Sequence, residues 1–177
     1  MAKVGEYTLE IMREASWYND WLFKLIKPFL GQEVLEVGCG IGNFTPLLAK
    51  KSLVFAIDVN EKYTKLLKKS SFGTTRTGFG DIEKNEYFFK NEKFDTVVCL
   101  NVLEHIKNDF KALVNMKKLI KKDGNLVLLV PAHKNLYSQF DKELGHFRRY
   151  DKKELLSILR KADFKIDVLK PINWLGA

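Results

Sequence analysis

Apolar side chains recur at helical spacing through residues 8–30, at Leu9, Met12, Leu22, Leu25, Ile26 and Phe29. The spacing predicts one or two helices ending at Pro28–Gly31. The pattern then shortens into strand-length runs. "EVLEVG", "LVFAID", "TTRTG", "FDTVVCLN", "NLVLLVPA" and "FKIDVL" read as six strands in order, the third weak and the fully apolar fifth fit for a central, doubly buried position. Helical runs lie between them. Asn43 is placed to cap "FTPLLAKK", Asn60 to cap "EKYTKLLKKS", and Asp151 with Glu154 to form a capping box for "KKELLSILRKA". "DFKALVNMKKLIKK" presents Phe110, Leu113, Val114 and Ile120 on one face and stops at Asp123-Gly124. Residues 132–150 read as a long polar connection, a kind of segment that often carries function.

Strands alternating with helices predict an α/β architecture, a doubly wound, mostly parallel sheet with helices on both faces. No repeat or linker divides the chain. A single domain over residues 1–177 is expected, with residues 1–30 as a helical cover and 31–177 as the α/β core.

The apolar pattern breaks most sharply in "VLEVGCGIGNF", where Gly38, Gly40 and Gly42 alternate after a strand and before a helix. A turn without Cβ atoms lets a ligand approach the main chain, and the helix start offers free N–H groups. A tight packing turn is the alternative. The spacing is not G-x-G-x-x-G, and Glu36 stands just ahead of it. Asp58 ends the second strand, where a carboxylate can accept from ribose hydroxyls, as in NAD sites too. Asp81 follows the third strand, positioned to accept from an adenine amino group, with Ile82 to flank the ring. Glu36, Asp58 and Asp81 fall at one edge of the sheet. So much negative charge repels a pyrophosphate and suits an adenosyl ligand with a cationic centre.

Composition narrows the classes. The chain has 177 residues, 46% hydrophobic and 29% charged, enough for one packed core. No apolar run reaches the ~18 residues of a membrane span, and "MAKVGEYTLEIM" lacks the apolar core of a secretory signal. Two cysteines, Cys39 and Cys99, make no disulfide framework, so a cytoplasmic setting is expected, and no zinc-type spacing occurs. The net charge of +8 raises nucleic acid as a partner. The lysines, however, sit in pairs on helix ends and outer faces, without interleaved aromatics, which argues against it.

"VLEVGCGIGNF", "AIDVN", "GDI", "FDTVVCLNVLEHI" and "GNLVLLVPAH" together resemble, in order and spacing over residues 33–133, the motifs of class I S-adenosylmethionine-dependent methyltransferases. "LYSQFDKELGHFRRYDKKEL" resembles a subset of small bacterial and archaeal members. The resemblance implies a Rossmann-like methyltransferase fold. It implies that Glu36 and the turn through Gly38, Cys39, Gly40 and Asn43 hold the methionine part of S-adenosyl-L-methionine. Asp58 with Val59 would hold the ribose, Asp81 with Ile82 the adenine, and Asn101 and Val102 would line the pocket by the methyl donor. S-adenosyl-L-homocysteine would be the product. That family's fold has seven strands. This chain ends just after the sixth, as a truncated form or one without its last strand, which would expose an apolar edge.

Methyl transfer from a sulfonium needs alignment and water exclusion, and a base where the acceptor is a hydroxyl. His105, in a position where quinone-pathway O-methyltransferases carry a similar "EH" pair, is a candidate base, or it packs its turn. His146 is a second catalytic candidate. Arg148 and Arg149, with Tyr150, could grip an acceptor's carboxylate or phosphate, or simply order their own loop. His133 is a further candidate for substrate contact. The reading is methyl transfer to an oxygen of a small-molecule acceptor, an acidic one included. The alternatives are a nucleic-acid methyltransferase, an NAD-dependent oxidoreductase and a non-catalytic cofactor-binding subunit. No metal is called for, and the oligomeric state is open.

Overall fold

The computed structural model describes residues 2–70 and 73–172. Two helices open the chain, α1 (Ala2–Glu14) and α2 (Ser16–Ile26). The α/β part follows as β1 (Glu33–Val37), α3 (Thr45–Ala49), β2 (Leu53–Asp58), α4 (Glu61–Lys69), β3 (Thr75–Asp81), β4 (Glu86–Tyr87), β5 (Phe94–Leu100), α5 (Asp109–Leu119), β6 (Ile120–Leu129), α6 (Gln139–Leu144) and α7 (Lys152–Lys161). The sheet runs β4-β3-β2-β1-β5-β6, parallel except for the β3–β4 pair.

Alternation along the strands builds two cores. Leu35, Val37, Phe55, Ile57, Val97 and Cys99 point to one face, under Leu113 and Met116 of α5 and Leu159 of α7. Val34, Val54, Ala56 and Val98 point to the other, under Leu22 and Ile26 of α2, Leu48 of α3 and Leu67 of α4. Cys39 and Cys99 are buried free thiols in opposite cores, which suits their reading as small apolar fillers. Glu36 occupies an otherwise apolar position between Val34 and the glycine turn, on the α2–α3 side.

The structure corrects several local expectations. "FKIDVL" forms no strand. Its Phe164 and Ile166 pack on the α5–α7 core instead, with the Lys117 ammonium over the Phe164 ring at 5.0 Å. The two-residue β4 takes up the sixth place in the sheet. "NLVLLV" belongs to the outer strand β6 among the described residues, so its side chains are half-buried rather than enclosed. Asp123-Gly124 does not stop a helix. α5 ends at Leu119, and the pair, with Asp123 at φ 63°, lies in an irregularity where the β5 register jumps from Phe94↔Ile120 to Thr96↔Asn125. Asn60 caps α4, accepting from Lys62 N at 3.0 Å. Asn43 does not cap α3; it donates to Leu9 O of α1 at 2.8 Å. Asp151 begins α7 without closing a box, because its carboxylate accepts from Lys134 N while Glu154 pairs with Lys134 Nζ. Residues 132–150 are not mere connection: they hold α6, whose start is a true capping box between Ser138 and Asp141.

Candidate active site

Parallel pairing sets the strand ends level. Val37 faces Ile57, Asp58 faces Phe79, and Leu100 faces Leu129. Glu36, Asp58, Asp81 and Asn101 therefore share the C-terminal edge of the sheet, where ligands of doubly wound folds sit. A cleft of about 390 Å³ opens there, within the ~300–1,000 Å³ usual for small-molecule sites. Its floor is Glu36 to Cys39 with Asn43; α1 roofs it with Gly5, Thr8, Leu9 and Met12. Tyr18, Tyr63 and Leu100 line its sides, and Asn101, Glu104, His105, Leu144 and His146 close another end.

The glycine turn is shaped by what lies on it. Gly38 has φ 73°, and a Cβ there would run into the Val102 side chain. At Gly40, φ 52°, a Cβ would press on Leu9 of the roof at 3.3 Å. The Asp58 carboxylate braces the same turn, accepting from Gly40 N at 2.9 Å and Asn60 N at 2.8 Å. Burial raises the Asp58 pKa, opposed by those two N–H groups. Glu36 is 5% exposed and accepts from Thr45 Oγ1 at 2.6 Å. Burial pushes its pKa up to about 8, with Asp58 adding repulsion and Thr45 offsetting part of it.

Asp81 ends β3 at the flank of this pair and does not line the cleft. Its carboxylate meets Lys84 through N at 3.0 Å and Nζ at 3.1 Å. Although burial works against it, those contacts hold its pKa below the usual value. Ile82 is buried in the α5 core, its carbonyl accepting from Asn115 Nδ2 at 2.9 Å. Val59 is exposed just past β2. Asn101 sits at φ 53° and opens into the cleft.

At the other end, His105 and His146 meet edge to face, ring centroids 4.6 Å apart. Glu104 lies beneath them, 1% exposed, with Oε2 lacking a hydrogen-bond partner among the described residues. One ligand-type atom from each of the three falls within 4.8 Å of the others, a convergence the sequence reading did not foresee. Burial raises Glu104 to about 8, and Asp141 adds to the shift. His105 reaches solvent at the cleft mouth. Even so, the protein packed behind its ring and the neighbouring His146 hold its pKa down, to about 4. With Glu104 favouring its protonated form and His146 Nδ1 already on Asp141, the trio is arranged to handle protons.

The remaining candidates lie elsewhere. His133 is exposed at φ 63° on the turn before α6. Arg148 pairs with Asp109 at 2.7 Å and donates to Lys107 O; Arg149 pairs with Asp141 at 2.8 Å. The Tyr150 hydroxyl donates to Asp109 Oδ2 at 2.9 Å. Arg148, Arg149 and Tyr150 line a separate, shallower depression with Lys134 and Lys161. Their loop-ordering role is the one seen. Asp141 and Tyr63 went unnoticed in the sequence. For Asp141 a signal existed: Ser138 to Asp141 is capping-box spacing, and Gly145 is a helix stop that sets His146 at the helix's end.

A family model described as "Methyltransferase domain" matches residues 12–169. This chain belongs to the class I S-adenosylmethionine-dependent methyltransferase family. The chain is 32% identical over 105 residues to a ubiquinone biosynthesis O-methyltransferase of Haemophilus ducreyi, covering 55% of this chain and 44% of that one. It is 30% identical over 126 residues to a tRNA U34 carboxymethyltransferase of Idiomarina loihiensis, covering 65% and 39%. The match thus spans less than half the length of each of these two relatives. A SAM-dependent methyltransferase from Methanosarcina mazei has the same fold, with TM-score 0.68 at 19% identity over 81% of this chain and 85% of that one. S-adenosylmethionine is the cofactor of the family, and this chain's residues fit it. The turn is cleared of Cβ atoms, Asp58 and Glu36 offer carboxyl groups that a cationic ligand would ionise, and Asn43 Oδ1 is a buried acceptor without a partner among the described residues. No helix among the described residues is long and apolar enough to cross a membrane.

Proposed function

We propose that the protein methylates an oxygen of a small, largely apolar hydroxyl compound. The observation that carries this is the two-ended cleft: acidic side chains and bare main chain at one end, Glu104 with two imidazoles at the other. The bound cofactor supplies an activated methyl group. Asn43, Glu36 and the Gly38–Gly40 turn bind and orient its methionine part; Asp58 and Val59 take the ribose side, and Asp81 with Ile82 the adenine flank. Leu9, Met12, Leu22 and Leu144 exclude water and receive the acceptor's apolar body. His105, neutral at pH 7, and His146 are the groups able to take the acceptor's proton. Arg148 and Arg149 lie outside this cleft and pair with Asp109 and Asp141, so the proposal does not rest on an acidic acceptor.

Labelled methyl transfer to an uncharged catechol such as 4-methylcatechol, set against total RNA, tests the proposal. Label on the catechol supports it. His105→Ala should lower that turnover ~10-fold or more while changing S-adenosylhomocysteine affinity little. A nucleic-acid acceptor is the second reading, favoured by the +8 charge and the tRNA-modifying relative; label on RNA alone would establish it. Tight cofactor binding with no transfer to either would point to a regulatory subunit.

A further inference from the structure

One buried carboxylate beside the cleft has no part in the chemistry so far. Asp141 is 1% exposed. Its Oδ2 closes the α6 cap, accepting from Ser138 N at 2.9 Å and Ser138 Oγ at 3.0 Å. Capping needs nothing more. Yet Oδ1 accepts from Arg149 Nε at 2.8 Å and meets His146 Nδ1 at 3.0 Å. A carboxylate held by a guanidinium is ionised and can only accept, so the shared proton belongs to Nδ1. That leaves the lone pair on His146 Nε2, which has no protein hydrogen-bond partner among the described residues, on a ring that lines the cleft.

We infer that Asp141, clamped by Arg149, is a positioning residue that fixes the tautomer of His146 so that Nε2 takes the acceptor's proton. The inference rests on the O-methyl transfer reading. As the acceptor oxygen bonds to the methyl carbon, the carbon–sulfur bond breaks and its electron pair stays on sulfur, leaving a neutral thioether. The hydroxyl proton passes to His146 Nε2, and the imidazolium is paired with Asp141. His105 has no carboxylate partner among the described residues: its ring bonds the Gly145 backbone instead, and its neighbour Glu104 favours the neutral form. The titratable and charged groups around His146 are Glu104 and His105 from the turn after β5, Asp141 of α6, Arg149, and Tyr137, whose hydroxyl donates to His146 O at 2.7 Å. Tyr18, Tyr63 and Glu36 line the rest of the cleft.

The test is ¹⁵N NMR of histidine-labelled protein, with calorimetry of S-adenosylhomocysteine and turnover of 4-methylcatechol. Wild type should show His146 protonated on Nδ1. Asp141→Asn should shift it toward the Nε2-protonated form and lower turnover about 100-fold or more at unchanged affinity. Ser138→Ala, which loosens the cap but spares Oδ1, should leave tautomer and turnover unaltered. An Nε2-protonated His146 in wild type overturns the inference, a result that needs no variant to fold. Equal turnover losses in the two variants with the tautomer unmoved would reduce Asp141 to a cap. Activity abolished by EDTA and restored by a divalent metal would also overturn it, because Nε2 would then be bonded to a cation. Absence of catechol turnover in wild type defeats the O-methyl reading, while the tautomer measurement still decides the role of Asp141.

Discussion

Glu36 is held in a form opposite to the one the proposed cationic cofactor would need. With its pKa pushed up to about 8 by burial, it carries a proton at pH 7. A cationic ligand in the cleft favours the carboxylate, so binding should expel that proton. Calorimetry of S-adenosylmethionine at pH 7 in buffers of different ionisation enthalpy should show release of up to one proton, absent in Glu36→Gln. Asp58 acts differently, since its carboxylate also holds the turn through Gly40 N and Asn60 N. Asp58→Ala should weaken cofactor binding at least ~10-fold, about 1.4 kcal/mol or more, and lower the melting temperature as well. Both residues were legible in the sequence as carboxyls at the end of an apolar strand run, Glu36 one residue before the end of β1 and Asp58 closing β2. Arg148 and Arg149 were not, because a loop sequence displays a cation without its counter-ion. Asp109 and Asp141 are brought to them only by the fold. His146 was legible by type, whereas its setting against Asp141 depends on α6.

Elements were legible where a period and a stop signal agreed. β1, β2 and β5 alternate between two cores as their apolar runs demand, and Asn60 caps α4 as placed. "FKIDVL" shows the limit: an alternating apolar run needs a partner strand to become one, and here Phe164 and Ile166 find a helical core first. "NLVLLV" was apolar enough for a central strand, yet position in a sheet is set by neighbours and not by the run itself. The junction of β1 with the glycine turn gives a sharp test. Gly38→Ala adds a methyl against Val102 at a φ that L-residues disfavour, which should destabilise by about 2–4 kcal/mol. Gly38→Ala with Val102→Ala should recover the steric part but not the backbone strain, read by urea denaturation.

At the scale of the molecule, buried acids shape the response to pH. Glu36 and Glu104 titrate near 8 when folded, against the usual 4.5. Their contribution to stability is complete below about 4.5 and is lost as pH rises through 8. Asp141 and Asp95 are held below the usual 3.8; burial works against this at both, but the bonds from Arg149 and Ser138 at Asp141 and from Lys121 at Asp95 outweigh it. Their contribution is present above 3.8 and lost on acidification. Melting temperature should therefore peak near pH 5, fall toward pH 8 and then level. Glu104→Gln should flatten that fall in a thermal melt.

The first helix is tied to the turn it covers, through Leu9 O to Asn43 and the Leu9 side chain on Gly40. Roof and floor are thus one latch. On the proposed reading, the spent nucleoside would leave past that latch, so the junction before α2 is where opening of the cleft would be felt.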